Sequence, residues 1–301
     1  MTWIIFGLLS HFGWAWANII DKYVIKNHVP NIWHYFVWTG LISVAVLPLI
    51  PIFGFHWPPL FFTGLAIAGT LFSVAGTMVY FRVVSLEEII RINIWWNLIP
   101  LFVLIIGWWG LGEHLTAWQF VAFGVLMVGA VLASLHVATG KRLLTFSKAF
   151  GLMVISCLFY AMAIVIARYV LLVVPFTDYT IIGGLVWVVM AALPLLKPAF
   201  RRSFSSTARR LPTVVVVGII ASVIVSLFSG LASQAALSLT PAALVYALEG
   251  SQSVFVFIIG VGIALIAPRA LAEHIDRKNL AIKLAALVIM IAGVALLHAT
   301  T

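Results

Sequence analysis

Apolar runs of about 20 residues recur from one end of the chain to the other, separated by short polar connections. Each run is long enough to cross roughly 30 Å of hydrocarbon as a helix. The pattern predicts ten spans, at 3–20, 32–50, 60–81, 88–110, 116–136, 149–171, 179–197, 213–236, 241–266 and 279–298. The first begins at Thr2, with no basic segment before it and no small-residue cleavage site, so it reads as a span and not as a signal peptide. The connections leave no room for a soluble domain. The fold class that follows is an all-α polytopic membrane protein.

Composition agrees. Of 301 residues, 64% are hydrophobic and 8% are charged, and the mean hydropathy is +1.20. A soluble protein carries about a quarter of its residues as charges, and this chain's few charges could not solubilise its surface. The net charge of +9 does not point to nucleic acid. Its cations sit in the loops between spans, notably Lys141–Arg142 and the stretch RRSFSSTARR at 201–210. Every Lys and Arg except Arg168 lies in or beside an odd-numbered connection, which predicts that those connections are cytoplasmic and both termini outside. The lone cysteine, Cys157, excludes an intramolecular disulfide and sits among apolar neighbours, as a packing residue would.

The two ends of the chain share punctuation. DKYVI at the end of the first span resembles ARYVL at the end of the sixth, so that Lys22 meets Arg168 and Tyr23 meets Tyr169. Further on, FRVVSLEEIIRINIWWNLIPLF resembles QAALSLTPAALVYALEGSQSVF, with Asn97 opposite Gly250 and Phe102 opposite Phe255. The order of the matches and their nearly constant offset predict two five-helix repeats. Residues 1–138 are the first, 139–148 a basic connecting loop and 149–301 the second. An odd number of spans per half makes the repeats inverted, an arrangement suited to alternating access.

GLGEHLTAWQFVAFGVLMVGAVLASL, residues 110–135, resembles the end of an EamA domain: Gly112 and Glu113, a short turn, then a last helix carrying Gln119, Gly124 and Gly129. NLIPLF, from Asn97 to Phe102, is similar to that domain's fourth helix. The second half carries LEGSQSVF, AEHI and a final helix with Gly293, and departs from the pattern in having Gly250 where a proline is usual. The resemblance implies a ten-helix member of the drug/metabolite transporter superfamily, similar to amino-acid and metabolite exporters of the plasma (inner) membrane. It also implies cytoplasmic termini, against the charge pattern.

Polar residues inside the spans are the candidates for function. In the fourth, Glu87, Glu88 and Arg91 cluster at the start, where they suit either an interfacial ion pair that sets helix depth or the entrance of a pathway. Asn93 and Asn97 lie deeper, suited to interhelical bonding or to lining a cavity. In the ninth span Tyr246, Glu249, Gln252 and Ser253 share one side, and no Lys or Arg lies in the same span. A carboxylate in that setting can take up and release a proton, the chemistry of proton-coupled transport. His11, Trp14 and Asn18 form a polar face of the first span with Lys22, and His11 is a second coupling candidate. Trp14, Tyr80 and Tyr160 could line a cavity for apolar or aromatic solutes or simply pack. Trp3, Trp33, Trp57 and Trp118 read as an interfacial belt, and Glu113 and Glu273 as dipole partners for the last helix of each half.

The function predicted is a secondary active transporter of small organic solutes, amino acids or related metabolites, with protons as a candidate second partner. A channel or facilitator is the alternative. An intramembrane enzyme is disfavoured, since no HExxH, hydrolase elbow or phosphate-cradling loop occurs. No cofactor is implied. With both halves in one chain a monomer suffices, and a dimer is compatible.

Overall fold

The computed structural model describes residues 2–29, 31–84, 86, 95–134, 148–266 and 277–300, and among these the regular structure is entirely helical. Helix α1 (Thr2–Asn27) is followed by α2 (Ile32–Ile42), which Asn31 caps by accepting the Trp33 N–H. A 3₁₀ turn at Ser43–Val46 leads on to α3 (Leu49–Phe53), and then comes α4 (Leu60–Val84). Helix α5 (Leu98–Leu111) stops at Gly112, whose φ of 64° lies in the left-handed region that glycine enters at least cost. Thr116 and Gln119 then form a reciprocal capping pair, Thr116 N–H to Oε1 at 2.9 Å and Gln119 N–H to Oγ1 at 3.3 Å, which starts α6 (Ala117–Ser134).

The remaining helices are α7 (Lys148–Leu171), α8 (Phe176–Ala192), α9 (Pro198–Ala208), α10 (Thr213–Leu239), α11 (Ala242–Ala247), α12 (Gly250–Ile266) and α13 (Arg277–Thr300).

Among the described residues, seven stretches are long and apolar enough to cross a membrane: Thr2–Ile25, Ile32–Phe53, Leu60–Val83, Ala149–Leu171, Phe176–Leu196, Thr213–Leu239 and Ala242–Gly260. Three shorter apolar helices, Leu98–Leu111, Ala117–Ala133 and Leu284–Ala299, fall within the other three predicted spans. Outward-facing apolar side chains run along the helices, as Ile5, Leu9, Phe12 and Trp16 do on α1. Such a surface suits lipid and not water. The chain is a multi-pass integral membrane protein.

Packing follows a regular scheme. α1 lies on α10 and α4 on α7; α2 lies on α8 and α6 on α13; α5 touches α7, and α12 touches α1. Close approach of α6 and α13 rests on glycines. A Cβ on Gly129 would strike Met290, and one on Gly293 would strike Leu126. Without water to drive helices together, such small-residue contacts let backbones meet and gain dispersion.

Two expectations change here. Trp3 is buried in the main apolar core and is no belt residue, whereas Trp57 and Trp118 are exposed as a belt requires. The basic stretch at 201–210, read as a connection, largely belongs to the amphipathic helix α9. Its inner face carries Phe200 and Phe204 against α2, with ring centroids 5.2 and 5.8 Å from His34, and the Thr207 hydroxyl is hydrogen-bonded to His34 Nδ1 at 3.1 Å. High charge hid the helix because its apolar side is only one residue in three or four.

Candidate functional site

Two spans break near positions that the sequence alignment of Asn97 with Gly250 pairs. Ahead of α5 the helical backbone of Trp95 and Trp96 gives way to a turn at Asn97 (φ −66°, ψ −2°), and a new helix starts at Leu98. In the other half the break falls at Leu248–Glu249, between α11 and α12. There the N–H groups of Leu248, Glu249, Ser251 and Gln252 each bond the carbonyl three residues earlier, at 2.8–3.2 Å. That tightened backbone aims Glu249 off the regular helix track. Gly250 follows it because α12 starts against the backbone of Ala130 on α6, where a side chain would collide.

Aromatic residues gather opposite. The Tyr80 ring on α4 lies 4.9 Å from Trp96, and Trp96 lies 5.3 Å from Tyr160 on α7. Tyr160 shares a 2.7 Å hydrogen bond with Thr77, and Ser156 one turn away donates to the Gly76 carbonyl at 2.9 Å. Glu249 is within electrostatic reach of Tyr160, Tyr246 and Cys157. Glu249, Tyr80, Tyr160 and Tyr246 are densely surrounded by protein yet keep some accessible surface.

Helix α1 closes another side. His11 is buried, stands 5.5 Å from Trp14 and 6.4 Å from Tyr246 in edge-on contacts, and has both ring nitrogens without a hydrogen-bond partner among the described residues. The Gln252 side chain and the Val245 carbonyl approach the ring. Ser233 on α10 lies beside Tyr246, and Tyr179 on α8 is near it too. Burying the His11 ring in hydrocarbon is costly unless the Gln252 and Val245 contacts satisfy its nitrogens.

Above and below this cluster, polar ties join helices. Arg168 Nε meets Glu113 Oε1 at 2.7 Å and Arg168 Nη1 donates to the Leu237 carbonyl at 2.6 Å. Glu113 Oε2 accepts the Ala242 N–H at 3.0 Å, at the start of α11. Glu113 thus serves a helix N-terminus of the opposite half and not the helix that follows it. The other tie is made by Asp21 on α1, which accepts from the Tyr35 hydroxyl on α2 and the Ser222 hydroxyl on α10. Ser222 and Leu237 are about 22 Å apart along α10, at the rise of an α-helix. Ser229 and Ser233 lie between them.

Residues 1–135 match the EamA-like transporter family. That likeness covers the first 135 of the chain's 301 residues. Among 28 solved chains that match, one described only as the crystal structure of a protein superposes with a TM-score of 0.69 at 14% sequence identity. It covers 97% of this chain and 94% of its own length, a likeness of fold alone. No curated protein sequence matches significantly.

The matched stretch supplies His11, Trp14, Tyr80, Trp96 and Asn97, while Tyr160, Tyr246, Glu249, Gln252 and Ser253 come from the rest of the chain. His11, Trp14, Tyr246, Glu249 and Gln252 are brought into one neighbourhood, and Tyr80 and Tyr160 into the adjoining aromatic cluster. Ser253 is half-buried on α12; Asn97 is buried at the break; Asn18 is exposed one turn beyond Trp14. Glu87, Glu88, Arg91, Asn93 and Glu273 lie outside the described residues. Trp96, Thr77 and Tyr179 were missed. Trp96 was within reach, because the alignment of Asn97 with Gly250 also sets Trp96 opposite Glu249. Asp21 and its hydroxyl partners were missed because they come from three separate helices.

Proposed function

We propose that this protein is a secondary active carrier of small organic solutes, working by alternating access with Glu249 as its coupling group. The observation that carries the reading is the acidic break in the α11–α12 span, with Glu249 in electrostatic reach of a Tyr80–Trp96–Tyr160 aromatic cluster from other helices. Broken helices at corresponding positions of two halves suit a transport site near mid-membrane. The solute class that fits is an amine with an apolar body, such as an apolar or aromatic amino acid. Its ammonium group would meet Glu249 while its side chain stacks among Tyr80, Trp96 and Tyr160. Proton and ammonium then compete for one carboxylate, so binding of one releases the other, which is exchange coupling.

The two-repeat organisation is part of the proposal. Exchanging α1 with α7, α4 with α10 and α5 with α12 turns the α1–α10 contact into α7–α4, and the α5–α7 contact into α12–α1. That correspondence supports ten spans in inverted halves, with residues 1–138 and 149–301 as the repeats. The polar ties at Asp21 and at Arg168–Glu113 would be the two gates, one toward each end of α10, opening in turn. Arg168, the cation that departs from the loop-charge pattern, is held in an ion pair, so the pattern still favours termini outside.

The test is uptake of labelled aromatic and branched amino acids into proteoliposomes with an acidic interior. Saturable uptake that ends when the pH gradient is collapsed supports the carrier. Flux that never saturates, accompanied by ion conductance, would establish a channel instead.

A further inference from the structure

We propose that α9 and the ends of its flanking spans form a binding site for an anionic phospholipid headgroup. Arg201, Arg202, Ser205, Ser206, Arg209 and Arg210 line an open cavity of about 580 Å³. Their helical spacing collects them on the face opposite Phe200, Phe204 and Thr207, the residues that seat α9 on the bundle. The guanidinium groups are exposed, and none of the four makes an ion pair among the described residues. Four cations and two hydroxyls around one concavity are a donor set for a phosphate group, which arginine binds in bidentate fashion.

The neighbouring surface distinguishes a lipid from a free anion. Helix α9 lies between the span that ends at Leu196 and the span that begins at Thr213, so it sits where bilayer meets water. Leu196, Val214 and Val217, at those span ends, are strongly exposed. A ligand that satisfies both surfaces is an amphiphile with a negative head and acyl chains. Because α9 also packs on α2 and α8 through its phenylalanines, an occupied site would clamp a basic helix to the bundle. Juxtamembrane arginines draw anionic lipid by general electrostatics; the concavity adds a discrete, saturable site.

The experiment is native mass spectrometry of the detergent-solubilised full chain with phosphatidylglycerol, chain-matched phosphatidylcholine, or inorganic phosphate alone. The wild type is expected to retain phosphatidylglycerol roughly tenfold more tightly than phosphatidylcholine, saturating with one lipid, and to bind inorganic phosphate far more weakly. The variant R201Q/R202Q/R209Q/R210Q should lose that preference. Leu196→Asn with Val214→Asn should weaken phosphatidylglycerol about threefold and leave phosphate unchanged. Should the fourfold variant not fold, the wild type serves: its preference should collapse at about 1 M salt, where charges are screened over a few ångströms. Equal retention of the two lipids, a preference that survives the fourfold substitution or high salt, or phosphate binding as tight as the lipid would overturn the site.

Discussion

The break at Asn97 and the break at Leu248–Glu249 are one backbone device carrying two chemistries. The first follows Trp96, whose ring sits between Tyr80 and Tyr160 and offers only an aromatic surface. At the second stands Glu249, a carboxylate on a tightened 3₁₀ stretch, with Gly250 behind it to let the chain pass Ala130. Similar breaks do not require similar function. On this account, one half supplies the stacking surface and the other the exchangeable charge, and a solute is recognised only where the two face each other.

The comparison makes graded demands. Glu249→Gln keeps shape and removes the exchangeable proton, so uptake should fall to the level seen without a pH gradient. A variant still driven by the gradient would show that the acidic break is not the coupling element. Gly250→Val should lower stability by about 2 kcal/mol through overpacking against Ala130, measurable as thermal unfolding in detergent. Trp96→Ala should raise KM roughly fivefold while leaving the gradient response intact. Tyr160→Phe deletes only the hydroxyl bonded to Thr77 and should cost about 1 kcal/mol of stability with little change in coupling.

Those predictions rest on residues that were unequally legible. Spans announced themselves because hydrocarbon imposes a length and a polarity on any helix that crosses it. Glu249 was visible for the same reason, as an acid where none is cheap. The partners of Arg168 and Asp21 were not, because Glu113, Tyr35 and Ser222 reach them from other helices and nothing local encodes the meeting. In the fourth span a turn at Asn97 separates the helical Trp95 and Trp96 from α5. The Asn97–Gly250 alignment hinted at that turn without saying that the backbone would bend. Helix α9 was the clearest omission. Its arginines drew attention to orientation and away from the phenylalanines spaced among them.

The most direct test of the division between the two breaks is proton movement itself. A pH-sensitive dye trapped in proteoliposomes would report whether adding an aromatic amino acid outside drives protons out through the wild type, Trp96→Ala and Glu249→Gln. The account predicts a proton signal in the wild type, the same signal in Trp96→Ala at higher substrate concentration, and none in Glu249→Gln at any concentration. A Glu249→Gln protein that still exchanges protons for substrate would contradict it.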